Sequence, residues 1–467
     1  MAMGRRHTTS VSSGLLGPRL VFMLCVLALV LIGLVMVYST TSVSAISEGR
    51  TAWVYIVKQL IYVGVGVALA LFVYRAIPHY AWCGRFVWIA WGVCMVMLLL
   101  VPLLGIDIYG AKRWLGVGEL TIQPSEFAKI ALLLLTAKII ADMRAGDIES
   151  KAALIQVFVC VVLPALFLFV TQSDLGTTAI IAVGILSVLW FGDIDLRIVI
   201  AIMVLGIAFV VFSIVGTDYR SGRLVYLDPW NDGQGGYGDG YNIIRSYFAI
   251  AEGGIFGVGL GNSHEKYQYL FASESDFIYA IIGEELGLIG AFAVVLLFLA
   301  LLVTGLIIAQ GASDDLGRMI AGACTIMIVF QAFLNMGCVI GLFPTTGKPL
   351  PFVSAGGSSM MSSMIIVGLI LSVSKSNDAQ RDYDRRREDL RVIRAEDPYR
   401  GNSYGAYSAP YPASRASYPA SNSAPARGSR SDNPFAVYSR SSGALDHNAV
   451  PLVDNRRRSD SARYPRR

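Results

Sequence analysis

Ten apolar runs follow one another along the first 374 residues, near 20–41, 53–75, 86–104, 125–142, 153–171, 177–192, 196–216, 277–309, 317–343 and 358–374. A helix needs roughly 20 apolar residues to cross the hydrocarbon core of a bilayer. The pattern therefore predicts an all-α polytopic membrane protein of about ten transmembrane helices. Two runs are short, and 277–309 is long enough to be tilted, kinked or extended beyond the membrane. The first run follows Arg5, Arg6 and Arg19 and precedes Val43-Ser44-Ala45, as a secretory signal would. Its apolar stretch, about 21 residues, exceeds the 7–15 of a signal core, so it reads as a retained span.

The polar connections are unequal, and their inequality is informative. With ten spans both termini fall on one side, which also receives Arg75, Arg85, Arg144, Lys151, Arg197 and Arg318. The positive-inside rule makes that side the cytoplasm. The other side receives 105–124, 172–176, 217–276 and 344–357, which hold nearly all the unusual polar sequence. Residues 217–276, between spans seven and eight, mix Gly, Tyr, Trp and charge and are expected to form a structured loop that carries function. The expected organisation is a cytoplasmic segment 1–19, a transmembrane domain 20–374 and a basic cytoplasmic tail 375–467. The tail is rich in Ser, Arg, Pro, Tyr and Ala and has too few aliphatic runs to fold. Its Arg385-Arg386-Arg387 and Arg456-Arg457-Arg458 clusters read as solvated charge, with anionic lipid or a protein partner as the alternative.

Composition supports a membrane solvent: 55% of the 467 residues are hydrophobic and 15% charged, against about a quarter charged in soluble domains. The net charge of +5 lies in the tail, where 18 Lys and Arg face 11 Asp and Glu, and residues 1–374 carry −2. No nucleic-acid footprint exists in the membrane portion. Cys25, Cys83, Cys94, Cys160, Cys324 and Cys338 sit in or beside apolar runs without a CxxC pattern and read as packing residues. His7, His79, His264 and His447 are too scattered in sequence to suggest a zinc site.

The candidate chemistry lies in the loops of the outer side. Asp276 opens the eighth span in Ser-Glu-Ser-Asp-Phe, where a helix N-cap and a catalytic carboxylate are both admissible readings. Glu284 and Glu285 lie two turns deeper, where an ionisable group needs a partner, an aqueous cavity or a proton. Eight residues of helix, about 12 Å, separate Asp276 from Glu284, too far for a glycosidase acid/base pair. A reaction with a diphosphate leaving group needs no such pair, because cations can stabilise the departing oxygen. Cations available on this side are Lys112, Arg113, Arg220, Arg223, Arg245, Lys266 and Lys348, whose convergence would suit an anionic substrate.

Gln123-Pro124-Ser125-Glu126 reads as a helix start, with Lys129 on the face of Glu126 as a structural ion pair or as part of a polar cavity. Asp174, in Gln172-Ser173-Asp174-Leu175-Gly176-Thr177, reads as an N-cap in a tight turn. Gly253, Gly254, Gly257, Gly259 and Gly261 lack the Gly-Lys-Ser/Thr ending of a phosphate loop and read as close packing or a tight re-entrant turn, as does Gly356-Gly357-Ser358-Ser359.

Taken together, GAKRWLGVGELTIQPSEFAK (110–129), TQSDLGTT (171–178), DPW (228–230), GGIFGVGLGNSHEKYQYL (253–270), SDFIYAIIGEELGLIG (275–290) and PLPFVSAGGSS (349–359) resemble the SEDS family of peptidoglycan glycosyltransferases. The resemblance spans 20–374 and is nearer the division branch, FtsW, than the elongation branch, RodA. It implies a ten-helix polymerase in the plasma membrane, at the septum, acting on lipid II and the nascent glycan strand. It further implies a class B penicillin-binding protein and other division proteins as partners. On this resemblance Asp276 is the catalytic base, and Lys112, Arg113, Gln123, Glu126, Lys129, Asp174, Arg223, Lys348 and Ser358 bind substrate. Arg113, Lys129 and Lys348 would hold the diphosphate, with or without a divalent cation (Mg2+ or Mn2+), and Glu126 and Asp174 would orient them.

The chain departs from the family pattern at Glu274, where histidine is usual; an acid there would raise the proton affinity of Asp276 by like-charge repulsion. It also departs at Asn242 and Arg245, where glutamines are common, at Ser173 in place of proline and at Ala355 in place of tyrosine. The alternative functions are an elongation-type polymerase, a lipid II flippase without polymerase activity, and a scaffold acting through its tail.

Overall fold

The computed structural model describes residues 16–375, apart from 48, 50, 52, 78–83, 109–110, 118–119 and 216–221. The expected tail, and Arg220 and Cys83, lie outside the described residues. Eleven helices are named here: α1 Leu16–Ser47, α2 Trp53–Ala76, α3 Arg85–Leu104, α4 Pro124–Ala145, α5 Ser150–Thr171, α6 Leu175–Phe191, α7 Leu196–Val215, α8 Tyr241–Gly253, α9 Ile278–Gln310, α10 Asp315–Val339 and α11 Gly357–Lys375. Three short strands follow α3 and form an antiparallel sheet in the order β1 (Ile106–Ile108), β2 (Ala111–Val117) and β3 (Leu120–Ile122).

Seven of these helices, α1, α2, α3, α5, α9, α10 and α11, are long and apolar enough to cross a membrane. Three more complete the expected series. The 22-residue α4 carries Glu126, Lys129, Lys138, Asp142 and Arg144, α6 has 17 residues, and α7 has 20. Exposure explains how α4 tolerates its charges: Glu126 and Lys129 are buried among α6, α10 and α11 and pair with each other. The lipid-facing surfaces are instead the broad apolar faces of α2, α3 and α7, where Leu60, Ile61, Leu99 and Leu205 are exposed. The centre of the bundle is α10, which packs on α4, α6 and α9, while α9 in turn packs along α1 and α8.

Small residues bring backbones together. A Cβ on Gly368 would lie 2.6 Å from the Ala70 carbonyl oxygen, and one on Gly33 2.7 Å from the Phe352 oxygen. A π-helical segment, Phe158–Val162, interrupts α5, and the Trp91 indole donates to the Cys160 carbonyl at 2.7 Å.

The long run 277–309 forms a broken helix. Gly287 of α9 has φ 68° and ψ −169°, which interrupts the backbone ladder. The glycine-rich segment after α8 repairs the break: Val258 and Gly259 N–H donate to the Glu284 and Glu285 carbonyls at 3.0 Å each, and Leu288 N–H donates to Gly254 at 2.9 Å. This approach demands glycine, since a Cβ on Gly257 would stand 2.2 Å from the Glu285 carbonyl oxygen. The expectation of a tight re-entrant turn is met here.

The two ends of the bundle differ in polarity. At one end Asp193, between α6 and α7, accepts from Arg144 of α4 at 2.7 Å and from Arg318 of α10 at 2.6 Å, and Asp315 approaches both arginines at 3.3 Å. The opposite end carries the sheet, the α5–α6 turn, the α7–α9 loop and the α10–α11 loop. The sequence places these four connections on one side, and the structure gathers them there.

Candidate functional site

A cleft of about 230 Å³ opens between the α7–α9 loop and the α10–α11 loop. Asp239, Asn242, Ala272, Asp276, Asn335, Thr346, Gly347 and Lys348 are among its lining residues. Asp276 lies two residues before α9, whose N-cap position is Phe277 with no side-chain cap. The capping reading of Asp276 therefore fails, and its half-buried carboxylate is left facing the cleft.

Two loops place this carboxylate. Asn335, deep in α10, donates from Nδ2 to the Asp276 and Lys348 carbonyls at 2.7 Å each. Ser354 Oγ donates to the Ser275 carbonyl at 2.6 Å and accepts from Leu350 N–H at 2.8 Å, and Ala355 N–H donates to the Glu274 carbonyl at 2.9 Å. The two loops thus behave as one backbone unit anchored on α10.

The cations come from other elements. Lys348 Nζ pairs with Asp174 Oδ2 at 2.8 Å, both groups almost wholly buried. Asp174 is the N-cap of α6, accepting from Thr177 N–H at 3.0 Å and Thr177 Oγ1 at 2.8 Å, as its turn sequence predicts. Arg113, on β2, donates to the Gln172 and Ser173 carbonyls at 3.0 Å each, which ties the sheet to the α5–α6 turn. Gly347 stands between the acid and the cation: a Cβ there would lie 3.6 Å from Asp276 Oδ2 and 3.9 Å from Arg113 Nη1.

These surroundings set the proton affinities. Asp276 is raised to about 6, chiefly by burial; Lys348 and Arg113 pull it down, and Glu274 adds to the rise. Asp174 goes the other way, to about 2: burial would raise it, but the Lys348 and Arg113 charges and its hydrogen bonds outweigh that. One carboxylate is therefore fixed as an anion and the other is poised near neutrality. The like-charge effect expected from Glu274 is present, as the smaller contribution.

The remaining site candidates separate into groups. Lys129 is buried, with Nζ 2.7 Å from Glu126 Oε2 and 2.7 Å from Gln331 Oε1, and Ser362 Oγ donates to Glu126 at 3.0 Å. This is an ion pair behind the cleft, close enough for Lys348 to act on Glu126 electrostatically. Gln123 N–H donates to Ser358 Oγ at 3.0 Å, which joins the start of α4 to that of α11. Lys112 is exposed on β2, and the Arg223 side chain lies outside the described residues although its backbone is in a short 3-10 turn, Gly222–Leu227.

The expected convergence of cations does not extend to Arg245 and Lys266. Arg245 pairs with Glu265 at 2.8 Å and Lys266 with Glu285 at 3.0 Å, because a buried carboxylate requires a partner. Glu284 is held by Ser263 Oγ at 2.6 Å and His264 N–H at 2.5 Å. Among the described residues no three His, Cys, Asp or Glu side chains converge as metal ligands.

Sequence reasoning missed Asn335, Gln331 and Ser354. The signal was present for two of them, since Gln331 and Asn335 are four residues apart, on one face of an otherwise apolar span, where a polar side chain marks an interior function.

Residues 19–379 match the family described as "Cell cycle protein", which comprises FtsW, RodA and SpoVE. The chain belongs to this family. Stage V sporulation protein E of Bacillus subtilis is 34% identical over 366 residues, covering 77% of this chain and 97% of that protein. The probable peptidoglycan glycosyltransferase FtsW of Geobacter metallireducens is 36% identical, covering 76% of this chain and 94% of its own length. Among solved structures, a chain described under "Structural coordination of polymerization and crosslinking by a peptidoglycan synthase complex" superposes with TM-score 0.59 at 24% identity, covering 76% of this chain and 97% of that one. Rod shape determining protein RodA of Thermus thermophilus gives 0.55 at 24% identity, covering 76% and 96%. The two structures share the fold, and the expected resemblance to this family of multi-pass membrane proteins is met.

Proposed function

We propose that the chain is a peptidoglycan glycosyltransferase that polymerises lipid II at the outer face of the plasma membrane during septal wall synthesis. The single observation that carries the reading is Asp276, a carboxylate with a proton affinity near neutrality, facing a cleft lined by Lys348, with Arg113 close behind Gly347 of the cleft wall. Relatives of this family named as probable peptidoglycan glycosyltransferases support it. The arginine-rich opposite end, with Arg144 and Arg318, supports a cytoplasmic assignment for that end and for both termini.

In this reading ionised Asp276 takes the proton of an acceptor sugar 4-hydroxyl as its oxygen attacks the anomeric carbon of the lipid-linked donor. The new carbon–oxygen bond forms while the bond from that carbon to the diphosphate breaks. The electron pair leaves with undecaprenyl diphosphate, and Lys348 and Arg113 stabilise the added negative charge. Asp174 keeps the Lys348 ammonium in place, and the Glu126–Lys129 pair braces the loop behind it. Asp239 and Asp276 line the cleft, and a divalent cation held there by one or both carboxylates and the diphosphate would supply further positive charge to the leaving group. A class B transpeptidase is the assigned partner, in line with the polymerisation and crosslinking named for a structural neighbour.

Purified protein, with its partner, should convert lipid II into glycan strands in detergent, and Asp276→Ala should abolish this without loss of folding. A flippase would give no polymer under these conditions. Removal of residues 380–467 should leave polymerisation intact, whereas a scaffold acting through its tail would lose its activity.

A further inference from the structure

The α7–α9 loop bears a run of exposed aromatic rings that neither the packing nor the proposed chemistry uses. Tyr237 is 81% exposed and Phe271 60% exposed. Tyr241, the first residue of α8, joins them: its ring is 6.4 Å from that of Tyr237, stacked at 28°, and 5.7 Å from that of Phe271. Single exposed apolar residues need no explanation, but a contiguous exposed set marks a binding surface.

The run adjoins the cleft. Asn242 and Ala272, the chain neighbours of Tyr241 and Phe271, both line the cleft that Asp276 faces. Phe271 N–H donates to Asn242 Oδ1 at 3.3 Å, which ties the backbone beneath the Phe271 ring to a side chain of the cleft wall. Arg245 stands 6.0 Å from the Tyr241 ring centroid, and Asp239, on the same loop, is exposed in the cleft wall.

Flat apolar faces interleaved with Asp239, Asn242 and Arg245 suit a pyranose, which offers a face of C–H groups for stacking and an edge of hydroxyls for hydrogen bonds. An acyl chain offers no donor to the exposed Asp239 carboxylate, whereas a sugar hydroxyl does. The ring spacing is on the scale of one sugar unit. We propose that Tyr237, Tyr241 and Phe271 form a stacking track that holds the glycan strand as it extends beyond the Asp276 cleft. The track rests on the glycosyltransferase reading for its occupant and adds to it a means of retaining the strand between successive additions.

The test uses the full-length protein and an uncrosslinked GlcNAc–MurNAc octasaccharide, with affinity measured by calorimetry and polymer length by gel. Tyr237→Ala and Phe271→Ala should each weaken octasaccharide binding roughly two- to tenfold, the range of one aromatic stacking contact, and shorten the strands made. Tyr237→Phe, which keeps the ring, should bind like wild type, and Tyr267→Ala, an exposed tyrosine outside the track, should leave strand length unchanged. Thermal melts identify variants that fail to fold, and Tyr237→Leu then replaces them and should bind as weakly as the alanine variant.

Unchanged octasaccharide affinity in the double Tyr237→Ala, Phe271→Ala variant would overturn the track. So would full affinity in Tyr237→Leu, or loss of transpeptidase co-purification with glycan affinity intact. Ring-dependent glycan binding by a protein that makes no polymer would sink the proposed reaction and leave the track standing; polymer made with ring-independent binding would do the reverse.

Discussion

The proton affinity of Asp276 predicts a pH profile that distinguishes a buried base from an ordinary surface carboxylate. With a pKa of about 6, about a tenth of the enzyme carries the ionised base near pH 5 and about nine-tenths near pH 7. The rate of lipid II polymerisation should therefore rise roughly tenfold across that interval and then level off. A carboxylate at its ordinary value of 3.8 would be almost fully ionised near pH 5 and would give a flat line there. Glu274→Gln removes a like charge, so the limb should move to lower pH. The move is limited, because burial is the larger cause and the glutamine leaves it in place; the new midpoint should fall between 3.8 and about 6. Lys348→Met removes an opposing charge and should move the limb the other way, on top of a loss of rate from the missing cation. The assay is the initial rate of strand formation from lipid II in detergent, at saturating and at low substrate, between about pH 5 and pH 8. A flat wild-type profile, or an upward shift in Glu274→Gln, would refute the assignment of Asp276 as a desolvated base.

Three further outcomes follow from the same geometry. Because the folded-state pKa of Asp276 is raised, the ionised form opposes folding, so its contribution is favourable below about pH 3.8 and is lost as pH rises through about 6. Asp276→Asn should then raise the melting temperature near pH 7.5, by up to ~3 kcal/mol of stability for a shift of about two units and less for a half-buried group, with the gain vanishing near pH 4. Lys266→Met should destabilise by about 3–5 kcal/mol, since it strands the buried Glu285 carboxylate, and adding Glu285→Gln should recover most of that loss in thermal melts. Asp232, held down to about 2 by N–H bonds from Gly236, Gln234, Gly238 and Gly240, organises the loop leading to Asp239; Asp232→Ala should expose that loop to limited proteolysis while the melt of the helix bundle stays unchanged.

The fold was legible where the chain obeys membrane solvation. Apolar runs mark helices because every backbone group must be paired inside lipid, and all ten runs correspond to helices in the structure. The interruption at Gly287 was less legible, because IIGEELGLIG reads as one helix until the 254–259 segment is known to supply the missing hydrogen bonds. The same limit applied to the charged residues. Arg113, Lys129, Arg245, Lys266 and Lys348 look alike in sequence, and only the folded chain shows that Lys348, though paired with buried Asp174, reaches the cleft while Lys129, Arg245 and Lys266 pair with acids away from it. The deciding partners, Asp174 and Glu285, are respectively 174 and 19 residues away from the lysines they hold.

That pairing also explains why the site can sit on loops and still be rigid. Each loop at the cleft is tied to a helix by a side chain buried in the bundle: the α10–α11 loop through Asn335, the α5–α6 turn through Asp174, and the 261–266 segment through Glu284 and Glu285. Buried polar groups at this depth are costly when unpaired, so each bond holds its loop with a force the same contact would lack in water. The ion pairs are therefore part of the positioning apparatus, and one of them, Lys348–Asp174, also reaches the cleft through Lys348. A carboxylate base needs a fixed position, and in the proposed reaction that position comes from the bundle: the loops that carry Asp276 and Lys348 are the loops that buried Asn335 and Asp174 hold in place.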